Sequence, residues 1–188
     1  MQQELKDAIE FATVAYGDVR RKGDGTLLML HGMEAMEIAQ TITDDLDVLI
    51  ATMLHDVVED TTTGMDAIRA RFGDRVAELV GSDTEDKRTH MSPKDSWILR
   101  KQDTIDYLNQ TTDRDAKILV LGDKLSNMRS FARLKIGEGD KMWDIFNQKD
   151  PEKHHWYYRE IAKTLSEFKD TKAYQEYDKL IKFVFNEE

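Results

Sequence analysis

Residues 53–60 of this chain, Met-Leu-His-Asp-Val-Val-Glu-Asp, place a histidine and three carboxylates inside an otherwise apolar stretch. The density of apolar side chains around them predicts a helix that packs against the core. In such a helix His55 and Glu59 are one turn apart, and so are Asp56 and Asp60. Ionisable groups this close to a core need a metal, a charged partner or a shifted pKa. The segment therefore favours a functional site over an amphipathic helix with an acidic outer face.

Apolar residues recur at helical spacing along most of the chain, and no stretch shows a sustained strand alternation. Ten glycines and only two prolines leave few helix breakers. Asp150 followed by Pro151 is a typical helix start, and Gly73 is a hinge between two short helices. The predicted helices cover residues 1–15, 33–42, 45–60, 65–72, 74–80, 97–109, 116–134 and 150–168, with a last one through 174–184, and residues 81–94 form an irregular loop. The sequence predicts an all-α fold in one domain.

The charge and the cysteine count exclude several classes of function. A formal net charge of −10 argues against a nucleic-acid surface, because phosphate backbones bind basic footprints. The absence of cysteine excludes disulfides and thiolate metal sites, so any metal is held by nitrogen and oxygen atoms. The sequence contains neither an apolar signal core at its start nor a run of about 18 apolar residues. We expect a cytoplasmic protein without nucleic-acid or membrane partners.

Two further positions can complete a site with the central segment. His31 follows an apolar run at the start of a helix, where a lone histidine is usually a core residue. Asp123 lies in the middle of an apolar helix face, where an aspartate is costly unless something pairs with it. Lys124 is predicted to be a poor partner, because neighbouring residues on a helix point about 100° apart. Asn127 and Ser130 continue a polar stripe along the same helix.

His31, His55, Asp56 and Asp123 together form a set of two imidazoles and two carboxylates. Such a set leaves open coordination positions on a divalent ion such as Mn²⁺, Fe²⁺ or Zn²⁺, where water and a phosphate oxygen can bind. A bound water then becomes a nucleophile at neutral pH. Glu59 and Asp60 follow one turn later, where a general acid or base is needed, so the pattern indicates metal-assisted hydrolysis.

Residues 154–158, His-His-Trp-Tyr-Tyr, are a second candidate site. No carboxylate lies at ligand spacing from the two histidines. We therefore predict that the aromatic side chains belong to the core and that His154 and His155 lie on the surface.

The chain resembles a known family at these residues. His31, His55 with Asp56, and Asp123 match the H…HD…D pattern of the HD-domain metal-dependent phosphohydrolases in order and rough spacing. Residues 51–61, 72–80 and 121–129 are similar to the hydrolase domain of RelA/SpoT proteins, and the chain length is similar to that of the small alarmone hydrolases. The shared motifs run from about residue 20 to 133, without a synthetase half. Residues 134–188 are expected to form a helical extension packed on this domain.

The resemblance implies a single HD-type helical bundle that removes the 3′-pyrophosphate of guanosine tetra- or pentaphosphate. It implies a small nucleotide as substrate and Mn²⁺ as the usual metal, held by His31, His55, Asp56 and Asp123. It also implies that Glu59 and Asp60 assist the attacking water. By the same resemblance Asn127 and Ser130 lie near the sugar and phosphate, and Arg21 and Lys22 lie beside the guanine.

The sequence departs from the family pattern at several positions. Leu27 and Leu28 replace the usual Pro-Tyr pair, and Gly32 replaces the proline after the first histidine ligand. Gly122 replaces an alanine, and Ser126 replaces a histidine. The missing tyrosine would have formed a wall of the base pocket, so these departures affect base specificity more than the metal.

Three functions therefore stay open. The first is the alarmone hydrolase, and the second is an HD phosphohydrolase that acts on another nucleotide or phosphate ester. The third is a non-catalytic nucleotide sensor. A binding module needs neither a metal set nor an acid/base pair, so the complete set of both counts against the third function. Oligomeric state is not readable from the sequence.

Overall fold

A computed structural model of the protein describes residues 2–187. Within that range the only strand-like pairing is one antiparallel bridge between Arg20 and Leu27, so the predicted all-α fold is confirmed. None of the helices in the described part of the chain is long and apolar enough to cross a bilayer. The helices are α1 (Gln2–Tyr16), α2 (Leu28–Gln40), α3 (Leu46–Leu54), α4 (Val57–Asp60), α5 (Met65–Asp83), α6 (Pro93–Gln110), α7 (Arg114–Glu138), α8 (Pro151–Thr164) and α9 (Lys172–Phe185), with 3₁₀ turns at Gly139–Ile145 and Ser166–Phe168.

Helix α7 is the centre of the structure. Four successive residues of this helix are buried, namely Ile118, Leu119, Val120 and Leu121. A helix that buries every face must be surrounded, and α7 is contacted by α2, α3, α5 and α9. Polar residues on α7 are therefore forced into the interior and must find partners there.

Several helix boundaries follow the predicted chemistry. The side chain of Asp150 accepts a hydrogen bond from the main-chain N–H of Glu152, and Pro151 is the first residue of α8, as predicted. Gly73 has φ 90° inside α5, which confirms the predicted hinge. Helix α2 starts at Leu28, five residues before the predicted start, because the apolar run before His31 forms its first turn.

The central helix predicted over residues 45–60 is not continuous. Helix α3 ends at Leu54, and α4 begins at Val57 after a turn. His55 Nδ1 lies 2.7 Å from the main-chain oxygen of Thr52, which would otherwise accept the N–H of Asp56. The imidazole of His55 thus occupies the carbonyl that the helix would have used for its next main-chain hydrogen bond. The helix therefore breaks at His55 and Asp56, which are two of the predicted site residues.

Two glycines let α2 approach its neighbours closely. A Cβ atom built on Gly32 would lie 2.5 Å from the main-chain oxygen of Met53 in α3. A Cβ atom on Gly122 of α7 would lie 2.7 Å from the main-chain oxygen of Ala35 in α2. Each glycine is next to a predicted ligand, His31 or Asp123, so close backbone contact sets the distance between the ligands.

The close approach at Gly122 predicts the effect of replacing this glycine with alanine, the residue that the resemblance leads one to expect here. Gly122→Ala should destabilise the protein by about 1–3 kcal/mol, because the new methyl group meets main-chain atoms that cannot turn aside. Gly137→Ala is the matched control on the same helix, since nothing lies within 4 Å of its Cβ position. Thermal unfolding should show a lower melting temperature for the first variant only. Equal melting temperatures for the two variants would contradict this packing.

Candidate metal centre

Four side chains from three parts of the fold converge beside α7. His31 comes from α2, His55 and Asp56 come from the turn after α3, and Asp123 comes from α7. Ligand atoms of His31, His55 and Asp123 all lie within 4.8 Å of one another, and all three residues are buried. Asp56 Oδ2 lies 3.2 Å from His55 Nε2 and 3.6 Å from His31 Nε2. The structure thus brings together the four residues predicted as metal ligands.

The orientation of the imidazoles fits a bound cation. His55 Nδ1 faces the carbonyl of Thr52 and can only donate to it, so a neutral ring keeps its lone pair on Nε2. His55 Nε2 is buried and has no hydrogen-bond partner within residues 2–187. It faces carboxylate oxygens of Asp56 and Asp123 at 3.2 and 3.5 Å. Lone pairs and carboxylates directed at one another in the interior fit a divalent cation between them, and their N/O chemistry suits Mn²⁺, Fe²⁺ or Zn²⁺.

The electrostatics of the cluster keep its carboxylates ionised. Burial opposes the charge of Asp123, but Lys124 and the two histidines outweigh it and hold its pKa well below the usual value. Burial also opposes the charge of Asp56, and His55 and His31 lower its pKa to about 2. Burial lowers the pKa of His31. For His55, burial is outweighed by Asp56 and Asp123, which raise its pKa, so a proton competes with a metal for this ring.

The prediction that Lys124 is a poor partner for Asp123 was wrong. Its buried ammonium contacts Asp123 Oδ2 directly and lies 3.9 Å from Asp83 Oδ1. A long, flexible side chain can turn back across the angle between adjacent helix positions, and a buried ammonium has strong reason to do so. Asp83, at the end of α5, is a buried carboxyl that sequence reasoning missed. Burial raises its pKa to about 6 although Lys124 opposes the shift.

The predicted acid/base pair lies in α4, directly after the ligands. Burial raises the pKa of Glu59 to about 7, with further contributions from Asp56 and Glu85. A carboxyl with this pKa can accept or release a proton at neutral pH. Asp60 is exposed, and its Oδ1 lies 3.0 Å from Lys87 Nζ, which also donates to the main-chain oxygen of Glu59. The two carboxylates therefore differ in environment although they are adjacent.

A cleft of about 250 Å³ opens over the ligand cluster and is lined by Glu59 and Asp60. Arg21 and Lys22 line it and also line a neighbouring cleft of about 520 Å³. Arg100 and Lys101 of α6 line it too. Both pair with Glu85, at 2.6 and 2.5 Å. Sequence reasoning missed these two cations, because nothing in the pattern of α6 distinguishes them from surface charges.

The other predicted substrate residues take different positions. Arg21 Nη2 donates to Asn127 Oδ1 at 2.5 Å, and Asn127 Nδ2 donates to Asp123 Oδ1 at 2.5 Å, so a hydrogen-bonded chain links the loop before α2 to a predicted ligand. Ser130 is buried, and its hydroxyl donates to Asp24 Oδ2 at 3.1 Å. Ser130 thus supports the same loop through Asp24 and is not among the residues that line the cleft.

The aromatic segment in α8 is core, as predicted, but its histidines are not on the surface. His154 is buried, stacks on Trp143 and places Nε2 2.8 Å from the main-chain oxygen of Gln148. His155 is half-buried and pairs with Glu187. Aromatic rings from α6 and α7, those of Trp97 and Phe131, pack against His154, and spacing within the segment cannot reveal these contacts.

Tyr157 of α8 reaches the back of the site. Its hydroxyl is buried and finds no hydrogen-bond partner among the residues that the structure describes. The ring lines a recess of about 230 Å³ that shares Arg21, Lys101, Lys124 and Asn127 with the cleft over the ligands. The recess therefore combines aromatic walls with cationic and hydrogen-bonding groups.

Comparison with known proteins matches this architecture. The profile of the HD domain family covers residues 8–145. Guanosine-3′,5′-bis(diphosphate) 3′-pyrophosphohydrolase MESH1 of Mus musculus is 34% identical over 133 residues, which are 69% of this chain and 70% of that protein. The guanosine-3′,5′-bis(diphosphate) 3′-pyrophosphohydrolase of Aquifex aeolicus is 32% identical over 129 residues, which are 68% of this chain and 18% of that protein.

Solved structures show the same fold. The match to the crystal structure of lmo0812 from Listeria monocytogenes covers 83% of this chain and 94% of the lmo0812 chain, with 31% identity and a TM-score of 0.70. The match to the structure of a metazoan ortholog of SpoT, reported to hydrolyse ppGpp, covers 96% of this chain and 94% of the ortholog's chain, with 23% identity and a TM-score of 0.75. At 23% identity the second match concerns the fold alone.

The ligand cluster predicts how metal content responds to substitution. His55→Ala and Asp123→Ala should lose the metal or bind it much more weakly, since each removes one donor from a buried set. Elemental analysis of the purified variants tests this, with His90→Ala as the control because His90 is an exposed histidine outside the cluster. A chelator should lower the melting temperature of the parent protein, because the folded state alone binds the ion. If the His55→Ala and Asp123→Ala proteins keep a full complement of metal, these residues are not ligands.

The raised pKa of Glu59 predicts a pH dependence of stability in the metal-free protein. Since the folded-state value of about 7 lies above the ordinary 4.5, this group stabilises the fold most at low pH, and its contribution falls as pH rises through about 7. Glu59→Gln lacks this titration. Urea unfolding in chelator should therefore show the variant gaining stability relative to the parent between pH 5 and 8, by up to about 3 kcal/mol. A constant difference across that range would exclude the shift.

Proposed function

This chain belongs to the HD domain family, and from that membership we propose that it hydrolyses the 3′-pyrophosphate of guanosine tetra- or pentaphosphate. The products are GDP or GTP and intact pyrophosphate. Support comes from relatives named for this reaction that align with more than two thirds of this chain. The observation that carries the proposal is one cleft that holds the His/Asp cluster, a carboxyl with a pKa of about 7 and several cations.

We propose Mn²⁺ as the metal, held by His31, His55, Asp56 and Asp123. A divalent cation bound by these residues would lower the pKa of a water molecule and would neutralise phosphate charge. The close contacts of α2 with α3 and α7 leave the two imidazoles little freedom to move, so the fold itself fixes the positions of the ligand atoms. The choice of Mn²⁺ over Fe²⁺ or Zn²⁺ is tested by restoring activity to metal-free protein with each ion in turn.

Two carboxyl groups of the protein carry out the two proton transfers of the reaction. In its ionised form Glu59 accepts a proton from the water that attacks the phosphorus bonded to the 3′ oxygen. A bond forms between the water oxygen and this phosphorus, and the bond from the phosphorus to the 3′ oxygen breaks. The water oxygen thus becomes part of the pyrophosphate, and the 3′ oxygen is the leaving group. The 3′ oxygen takes up a proton, which Asp60 is placed to relay from solvent because it is exposed at the mouth of the cleft. Lys87 holds both residues of α4 in place through its ammonium.

Substrate binding must overcome the net charge of −10. Arg21, Lys22, Arg100 and Lys101 line the cleft and concentrate positive charge where the phosphates bind. Arg21 is fixed by its hydrogen bond to Asn127, so it meets the substrate with little loss of side-chain entropy. Tyr157 offers a hydroxyl without a partner at the back of the same site, which suits a phosphate oxygen or a sugar hydroxyl.

One observation keeps the second function open. Leu28 lines both clefts, at the position where the family usually has a tyrosine. An aliphatic wall stacks less specifically on a guanine than an aromatic ring does. HD-type hydrolysis of another nucleotide or phosphate ester is therefore the alternative function.

A nucleotide panel with Mn²⁺, with products resolved by chromatography, tests the proposal. Guanosine tetraphosphate should give GDP and pyrophosphate, because the attacked phosphorus is the one attached to the 3′ oxygen. Release of orthophosphate, or equal activity on simple 5′-nucleotides, would favour the alternative. Binding of nucleotides without turnover would favour the sensor function.

We further infer a single domain over residues 1–188, in which residues 134–188 form a C-terminal extension. Helix α9 of this extension packs along α7, and Tyr157 from α8 lines the recess behind the ligands, so the extension is part of the site. A cytoplasmic location and the absence of a nucleic-acid partner stay predictions from the sequence.

Substitution of the acid/base pair separates metal binding from chemistry. Glu59→Gln and Asp60→Asn should retain the metal, because neither residue is in the ligand cluster. Turnover should nevertheless fall by about 10²- to 10⁴-fold, as is typical when a positioned proton-transfer group is lost. Metal content and turnover are measured on the same preparations. Loss of metal from both variants would make these residues ligands.

Removal of a cation from the cleft should weaken substrate binding. Arg21→Ala or Lys22→Ala should raise KM for guanosine tetraphosphate, with a loss of about 1.5–3 kcal/mol for a charged hydrogen bond, while metal content stays intact. Lys6→Ala is the control for the change in net charge, since Lys6 is an exposed residue of α1. Steady-state kinetics distinguish these outcomes. A KM that rises equally in the control would indicate only long-range electrostatics.

A further inference from the structure

Ser126 lies between a predicted metal ligand and a carboxylate. Its side chain is fully buried on α7, three residues after Asp123. Ser126 Oγ lies 2.8 Å from His31 Nδ1 and donates its hydrogen to Glu34 Oε2 at 2.5 Å. His31 and Glu34 both belong to α2, one turn apart. The three groups form a continuous hydrogen-bonded row across the contact between α2 and α7.

The direction of these hydrogen bonds follows from the chemistry of the groups. An ionised carboxylate only accepts, so the single hydroxyl hydrogen of Ser126 goes to Glu34. Ser126 Oγ must then accept from His31 Nδ1–H. A neutral His31 with its hydrogen on Nδ1 keeps its lone pair on Nε2, which lies 3.1 Å from Asp123 Oδ1 and 3.6 Å from Asp56 Oδ2. The ring is thus set to bind a cation through Nε2.

Glu34 is held in place from its other side. Arg129 Nη1 lies 3.4 Å from Glu34 Oε1, and Arg133 Nη1 lies 3.8 Å from the same oxygen. Arg129 is in turn fixed by Glu176 of α9, through two hydrogen bonds of 2.7 and 2.9 Å. These guanidinium groups hold the carboxylate of Glu34 in the position from which it accepts the hydrogen of the serine hydroxyl.

The two imidazoles are oriented by different means. His55 donates to the main-chain carbonyl of Thr52, which no side-chain substitution can remove. His31 depends on a side chain, Ser126, at a position where the resemblance above leads one to expect histidine. The orientation of one ligand can therefore be disturbed by mutation while that of the other is left intact.

We propose that Ser126 and Glu34 are positioning residues for the metal ligand His31. Glu34 orients the hydroxyl of Ser126, and Ser126 holds the His31 proton on Nδ1 so that Nε2 faces the metal. Hydrogen bonds of this kind around metal-bound histidines change metal affinity by about 10- to 100-fold when they are lost. The inference rests on the metal site of the proposed function, but it does not depend on which nucleotide is the substrate.

Metal affinity provides the first test. The dissociation constant of Mn²⁺ is measured by competition with a chromogenic chelator for the parent protein, Ser126→Ala and Glu34→Gln. Ser126→Ala should bind Mn²⁺ about 10- to 100-fold more weakly. Glu34→Gln should show a smaller loss, because an amide can either accept from the hydroxyl or donate to it. Since Glu34 is partly exposed, this second variant keeps the test decisive if the buried Ser126→Ala fails to fold.

A control separates positioning from a general loss of stability. Thr164→Ala removes a hydroxyl on α8 that donates to the main-chain oxygen of Ile161, and Thr164 is not among the residues that line the cleft. This variant should bind Mn²⁺ like the parent. Unchanged Mn²⁺ affinity in both Ser126→Ala and Glu34→Gln, or an equal loss in the control, would overturn the proposal.

The imidazole N–H protons provide a signature that a merely structural role would not change. In the protein loaded with diamagnetic Zn²⁺ and labelled with ¹⁵N at histidine, both His31 and His55 should show a protected Nδ1–H signal. Ser126→Ala should remove the His31 signal and leave the His55 signal, which depends on Thr52. Persistence of both signals would overturn the proposal. Weaker Mn²⁺ binding without activity on guanosine tetraphosphate would refute the proposed substrate and leave this inference standing.

Discussion

The structure depends on keeping mutually repelling donor atoms close together in the interior. Two imidazole nitrogens and two carboxylates meet at distances of 3.1 to 3.6 Å beside the central helix. Such a cluster is unfavourable by itself, because buried charges and lone pairs lose their hydration. The surrounding fold supplies what makes it tolerable: the buried ammonium of Lys124, the hydrogen bonds at the far side of each imidazole, and room for a cation at the centre.

The packing of α2 is the means by which the cluster is held. Gly32 and Gly122 allow the backbone of α2 to lie directly against α3 and α7, where any side chain would meet main-chain oxygens. Two departures from the family pattern therefore lie at the same contact, the one between α2 and α7. Gly122 permits the close approach of α2 to α7, and Ser126 fills the narrow space that this approach leaves between His31 and Glu34. A larger side chain at position 126 would need more space between the helices.

Charge is distributed in a way that the net value of −10 does not convey. Asp56 and Asp123 lie in the ligand cluster, and several cations around it are themselves held by polar partners. Arg100 and Lys101 pair with Glu85, and Arg21 donates to Asn127. These pairs keep the cations in position before any ligand arrives, which lowers the entropic cost of binding. The arrangement suits a polyanionic substrate that contacts both a metal ion and these cations.

The sequence alone predicts the all-α class, most helix positions and the identity of the four residues that converge, because helical periodicity and the cost of burying His55 or Asp123 are local properties. It did not determine the break at His55, since that depends on an imidazole capturing the carbonyl of Thr52. Contacts in three dimensions are needed to see that Lys124 neutralises Asp123, that His154 is buried, and that Arg100, Lys101 and Tyr157 reach the site. Those contacts join residues on different helices or turn a flexible side chain back along its own helix, and neither is encoded in spacing along the chain.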